Sequence, residues 1–229
     1  MKILFIGDSI GLPHFHRFRD VVELPYGDVF PEQLRRMLCA QFPGEDILLL
    51  NQCRHANTSH TLRSGAASEV LLVRLGVLIL QLGMADLWPG KDRNMPAPAP
   101  ELDGQDPWIS AELFSENFAG FLNFASALES LSVIVVNIPR VSEDQYLRHP
   151  SALHRTKEYN RILLKLSAQP GISLVDAYTL FDQFGPGAFG SDGIHPTRQA
   201  STVLAENIRQ HIVGHESIGR CSTSFQEFS

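Results

Sequence analysis

The stretch Lys2-Ile3-Leu4-Phe5-Ile6-Gly7-Asp8-Ser9-Ile10 decides how the rest of the chain is read. Residues 3–6 are apolar and rich in β-formers, which marks a buried strand. A serine at the exit of a parallel strand stands at the carboxyl edge of its sheet, where open α/β folds place their active sites. Taken alone, Gly7-Asp8-Ser9 is also ordinary loop and capping chemistry. A second stretch near the other end changes the balance. Ser191-Asp192-Gly193-Ile194-His195-Pro196 offers an Asp and a His at close spacing, the two partners a serine nucleophile requires.

Between these stretches, apolar β-rich runs alternate with helical patterns. Strands are predicted at 47–50, 77–82, 133–138 and 173–175, and helices at 31–42, 61–74, 111–131, 156–167 and 196–213. The strands are uniformly apolar, as expected where a sheet is covered on both faces. Five strand–helix alternations imply a three-layer α/β/α fold around a five-stranded parallel sheet, with right-handed crossovers. Residues 142–155 and 178–190 read as loops, the second bringing Asp192 and His195 back toward Ser9. Residues 88–110 contain Met95-Pro96-Ala97-Pro98-Ala99-Pro100 and read as a lid or a surface excursion anchored by Trp88 and Trp108. A single domain is expected over 1–213, followed by a flexible tail at 214–229, where periodicity fades.

The two terminal blocks resemble those of the SGNH (GDSL) hydrolase superfamily, whose first block is Gly-Asp-Ser and whose last is Asp-x-x-His, often followed by Pro. The resemblance spans residues 2 to about 212. It implies strand order 2-1-3-4-5, a flavodoxin-like arrangement, and a serine esterase or deacylase with Ser9, Asp192 and His195 as its triad. It also implies an oxyanion hole built from the Ser9 N–H and from the N–H at the position of a family glycine, held here by Ala56. The family's third block is Gly-x-Asn-Asp, and its Asn side chain also donates to the oxyanion. This chain reads Gly83-Met84-Ala85-Asp86, so it is a variant lacking that Asn.

The missing donor needs a replacement. Asn57, beside Ala56, is short, neutral and carries two amide protons, while Arg54 and Gln81 are the rivals. Asp8, Arg54, Ala85 and Asp86 border these blocks and are candidate substrate-binding positions, although a capping or loop-bracing role fits Asp86 better. Asp176, at the exit of the last strand, is the rival for orienting His195. The loop Gly11 to Arg19 is rich in aromatic, His and Arg residues, and suits either a pocket for an anionic or polar group or a surface connection. His14 and His16 have no third ligand nearby, so no metal is expected.

Composition sets the outer bounds. With 229 residues, 44% hydrophobic and 19% charged, the chain suits one globular domain. A net charge of −6 without like-charge blocks argues against a nucleic-acid partner. No apolar run has the length of a membrane span, and the N-terminus enters a strand directly, unlike a signal peptide. Three cysteines, Cys39, Cys53 and Cys221, fit a reducing cytoplasm. No motif calls for a cofactor. The expected partner is a small-molecule ester, an O-acyl group on a glycan or on a biosynthetic intermediate. An acyltransferase with the same triad, or a catalytically weak binding protein that keeps the pocket, are the alternatives.

Overall fold

In the computed structural model, residues 1–64, 75–88, 109–128 and 130–223 are described. Five parallel strands form the main sheet: β1 (Lys2–Gly7), β4 (Leu48–Cys53), β5 (Val77–Gln81), β6 (Ser132–Val136) and β7 (Ile172–Val175). Their spatial order is β4-β1-β5-β6-β7. Counted along the chain, this is the order 2-1-3-4-5 implied by the resemblance. Every residue of β5 is buried, as are residues 3–7 of β1. That pattern needs cover on both faces. It comes from two helix pairs: α1 (Phe30–Gln41) packs on the C-terminal helix α7 (Arg198–Thr223), and α3 (Ala111–Ser126) packs on α5 (Pro150–Leu166).

Large side chains fill the space between layers. Phe5 meets Phe30 edge-on at 5.0 Å between ring centroids, and Phe114 stacks on Tyr159 at 4.4 Å. Each such buried side chain contributes about 1.5–3 kcal/mol relative to exposure.

Register brings the loops of the site to one level. Gly7 pairs with Cys53 on one side and with Gln81 on the other, so β1, β4 and β5 end together. Gly7 is required by space. A Cβ there would stand 2.6 Å from Cys53 Sγ and 3.2 Å from the Gln81 carbonyl oxygen.

Several expectations need correction. The loop Gly11 to Arg19 holds β2 (His14–Phe15), which pairs with β3 (Val22–Leu24) in a small antiparallel hairpin. The expected loop at 142–155 holds α4 (Glu143–Arg148) and the first turn of α5. Ser142 caps α4 by accepting from the Gln145 N–H, and Pro150 opens α5, where its missing N–H costs nothing. The expected loop at 178–190 is mostly α6 (Ala177–Phe184) and a 3-10 turn at Gly185–Ala188. The last helix continues ten residues past the expected boundary at 213, to Thr223. Helix α2 is described over Thr61–Ser64. The remainder of that predicted helix, residues 89–108 of the expected lid and residues 224–229 lie outside the described residues. No helix among the described residues is long and apolar enough to cross a membrane.

Candidate active site

Ser9 begins a 3-10 turn, Ser9–Gly11, directly after β1. Asp8 caps that turn. Its carboxylate accepts from the Ile10 N–H, from Gln81 Nε2 on β5 and from the Met84 N–H, at 3.0, 3.1 and 3.0 Å. Asp8 therefore ties the serine turn to the β5 exit and is itself wholly buried. Burial raises its carboxyl to about 6, against the pull of those three hydrogen bonds.

His195 arrives from the other end of the chain. Its Nε2 is 2.9 Å from Ser9 Oγ, and its Nδ1 is 2.5 Å from Asp192 Oδ2. A carboxylate at Asp192 places the proton on Nδ1 and leaves Nε2 to accept from the Ser9 hydroxyl. The Asp192 side chain also organises its own turn. Oδ1 accepts from the N–H groups of Ile194 and His195, at 2.8 and 2.9 Å. Gly193 makes the turn possible with φ of +73°, and a Cβ there would press on Ser142 Oγ at 2.3 Å. Burial works to raise the Asp192 carboxyl, but the hydrogen bond and charge of His195 and the two backbone N–H groups outweigh it and hold it at about 2.

The rival orienter does different work. Asp176 caps α6, accepting from Thr179 N–H and Oγ1, and also takes Asn137 Nδ2 at 2.8 Å. Those bonds, more than offsetting burial, lower its pKa.

The second-strand loop is built around an unusual backbone. Ala56 has φ of +53°, a left-handed conformation that costs an L-residue about 1–2 kcal/mol and that glycine adopts freely. Ala56 is exposed. Among the described residues, neither its N–H nor that of Ser9 donates to another protein group. The Asn57 N–H, by contrast, is spent on the Arg54 carbonyl. Asn57 is buried, and its side chain braces the loop: Nδ2 donates to the Gly7 carbonyl at 2.9 Å and Oδ1 accepts from Thr61 Oγ1. One of the two amide protons that recommended it as an oxyanion donor is thus committed to β1.

Asp86 fixes the same loop from behind. Both carboxylate oxygens accept from the Ser59 N–H at 3.0 Å, and Oδ1 accepts from Ser59 Oγ at 2.6 Å. Asn117 Nδ2, from α3, reaches Ser59 Oγ at 3.0 Å. Burial raises the Asp86 carboxyl to about 7 despite the Ser59 hydrogen bonds.

Asp8 and Asp86 must therefore be removed from the candidate substrate contacts, because both are wholly buried and their oxygens are engaged within the protein. Gln81 is likewise buried behind Asp8 and is no candidate for the oxyanion. Ala85 is half-buried at the start of a 3-10 turn. Arg54 is exposed at the rim, with its guanidinium 3.3 Å from Gln52 Oε1. No cluster of three or more His, Cys, Asp or Glu suited to a metal occurs among the described residues.

Sequence reasoning missed two groups beside the triad. His14 stacks on His195, and Glu23 holds Ser191, the residue before Asp192. The aromatic and His-rich loop hinted at the first, and nothing local in sequence pointed to the second.

A profile of the GDSL-like lipase/acylhydrolase family matches residues 5–202. The chain belongs to that family. It is a hydrolase of the esterase/acylhydrolase kind. No curated protein sequence matches it. Among solved structures, it is similar to a lipase/acylhydrolase from Enterococcus faecalis, with 18% identity, a TM-score of 0.68, and coverage of 93% of this chain and 96% of that one. The acetylxylan esterase Axe2 from Geobacillus stearothermophilus superposes with a TM-score of 0.67 at 18% identity, over 92% of this chain and 93% of its own. TesA gives a TM-score of 0.61 at 20% identity, over 91% and 96%. At these identities the likeness carries the fold alone. The family match is independent of it, and its residues 5–202 contain Ser9, Asp192 and His195.

Proposed function

We propose that this acylhydrolase cleaves a small ester, with Ser9 as nucleophile, His195 as general base and acid, and Asp192 as the carboxylate that orients it. The single observation carrying this reading is the unbroken relay from Asp192 Oδ2 to His195 Nδ1 and from His195 Nε2 to Ser9 Oγ, at 2.5 and 2.9 Å. As Ser9 Oγ bonds to the acyl carbon, its proton passes to His195 Nε2. The bond between the acyl carbon and the alcohol oxygen then breaks, and Nε2 returns the proton to that oxygen. Water repeats the sequence on the acyl-enzyme and frees the acid and Ser9. The free N–H groups of Ser9 and Ala56 are the donors assigned to the developing oxyanion.

The alcohol is best read as polar, for example a sugar bearing a short O-acyl group. A cleft of about 230 Å³ beside the Asp192 turn supports this reading, lined by Arg17, Phe18, Ser142, Arg148 and Ser191 among others. So does the fold shared with an acetylxylan esterase, a protein also solved as catalytic mutants in which a serine or a histidine is replaced by alanine. A pure binding protein has no use for a connected Ser9–His195–Asp192 relay, which weighs against that alternative. Initial rates on p-nitrophenyl acetate test the reading. The wild type should turn over repeatedly while Ser9→Ala stays at background. Equal rates in the two proteins would return the chain to the binding-protein alternative.

A further inference from the structure

His14, the first residue of the hairpin, presents an anomaly. Its ring lies over the His195 ring at 5.0 Å between centroids and 26° between planes. Both of its ring nitrogens are shut away from solvent, and neither has a hydrogen-bond partner. A buried polar atom without a partner is rare and calls for a reason, since a phenylalanine would stack there without that cost. The nearest carboxylate is Glu23 on the opposite strand of the hairpin, whose Oε2 is 3.7 Å from His14 Nε2. Glu23 in turn grips the turn that carries the triad. It accepts from the Ser191 N–H at 2.9 Å and from Ser191 Oγ at 2.8 Å. Gly190 admits this contact, because a Cβ there would stand 2.9 Å from His14 Nε2 and 3.0 Å from Glu23 Oε2.

Resting on the triad assignment above, we propose that His14 is a positioning residue for the general base: its neutral imidazole, backed by the Glu23 carboxylate, lies as a plate across the face of His195. The hydrogen bonds to Asp192 and Ser9 hold the two ring nitrogens of His195, and His14 covers the face of its ring. The plate also acts on charge. When His195 takes the Ser9 proton it becomes an imidazolium, and an electron-rich ring over its face favours the cation. A carboxylate at the far edge of His14 makes that ring richer. The arrangement requires His14 to be neutral, since a second cation in the stack would oppose the imidazolium. The charged groups facing His14 are His195 and Asp192 from the triad turn and Glu23 from β3. Burial first, and then His195, lower the His14 pKa, with Asp192 and Glu23 pulling the other way.

The test pairs kinetics with proton NMR on the intact protein. The proton between His195 Nδ1 and Asp192 Oδ2 should resonate far downfield and reports on the His195 ring with no substrate present. In His14→Leu, which fills the space but has no ring face, that resonance should move. The variant should melt no lower than the wild type, since two unpaired nitrogens are gone. Its kcat should fall about 2- to 30-fold with KM little changed, the worth of a cation–π contact expressed as a rate. Glu23→Gln, which keeps size and a hydrogen-bond acceptor, should shift the same resonance and lower kcat, and it carries the test if His14→Leu does not fold. An unmoved resonance with wild-type kcat in the folded variants overturns the proposal. A wild type that shows the resonance but hydrolyses no ester would instead strike at the proposed function, because the stack is read without turnover.

Discussion

The proposed chemistry rests on three side chains drawn from opposite ends of the chain, and each has a distinct burden. In that proposal Asp192 fixes the tautomer of His195. Asp192→Asn keeps the size of the side chain but presents an amide to Nδ1, and it should lower kcat by about 10³–10⁴-fold on a short ester. Because the proposed reaction needs a base free to accept the Ser9 proton, kcat/KM of the wild type should fall on the acid side of its pH profile. Asp192 also bears on stability, with a definite sign. Its folded pKa of about 2 lies below the ordinary 3.8, so its contribution is present above pH 4 and is lost as pH falls toward 2. Asp86 has the opposite sign. Its carboxyl is raised from 3.8 to about 7, so the folded state favours the protonated form, and stability declines as pH rises from about 4 through 7. The melting temperature of Asp86→Asn, followed from pH 5 to 8, should therefore slope less than that of the wild type. Parallel slopes would mean that Asp86 ionises freely in the fold.

The loop after β4 carries Ala56 in a left-handed position suited to glycine, and the turn after β5 carries Ala85, where the resemblance implies an Asn. Asn57 offers the nearest side-chain amide, but the same amide ties the loop to Gly7. Asn57→Ala should thus cost both stability, about 1–3 kcal/mol for the buried groups left unpaired, and turnover. That differs from a residue serving the oxyanion alone, whose loss would leave stability intact. Ala85→Asn should raise kcat, by up to about 10²-fold if it restores a full donor. Urea denaturation beside initial rates separates the two effects. An Asn57→Ala protein that is slow but fully stable would restore the simpler oxyanion role. The helices α4 and α6 show where sequence reading fell short. Ser142-Glu143-Asp144-Gln145 matches the capping-box pattern, and Ser142 Oγ accepts from the Gln145 N–H at the start of α4, yet 142–155 reads as a loop from sequence. For α6, Asp176 was weighed as a catalytic carboxylate, and its cap role emerged only from its bonds to Thr179.

For the whole molecule, the parallel sheet was legible because burial on both faces leaves an unbroken apolar signature in β1, β5 and β6. The proposed triad is legible as a candidate because its members sit in two short motifs at the ends of the chain. What holds those ends together is not. Glu23 reaches Ser191 across 168 positions, and Arg198 on α7 meets Asp28 beside α1. Pairings over such distances leave no local period or spacing in a single sequence. The C-terminal helix, which follows His195 in the chain, packs on α1, and His195 meets Ser9, so the proposed catalytic geometry joins the two ends of the fold. The most direct measurement is the intact mass of the folded protein after exposure to a fluorophosphonate, followed by peptide mapping. One adduct on Ser9, absent in Ser9→Ala and slowed in Asp192→Asn, is the result predicted. Folded wild-type protein that stays unmodified on long exposure, or is modified elsewhere than Ser9, would contradict Ser9 as the activated nucleophile.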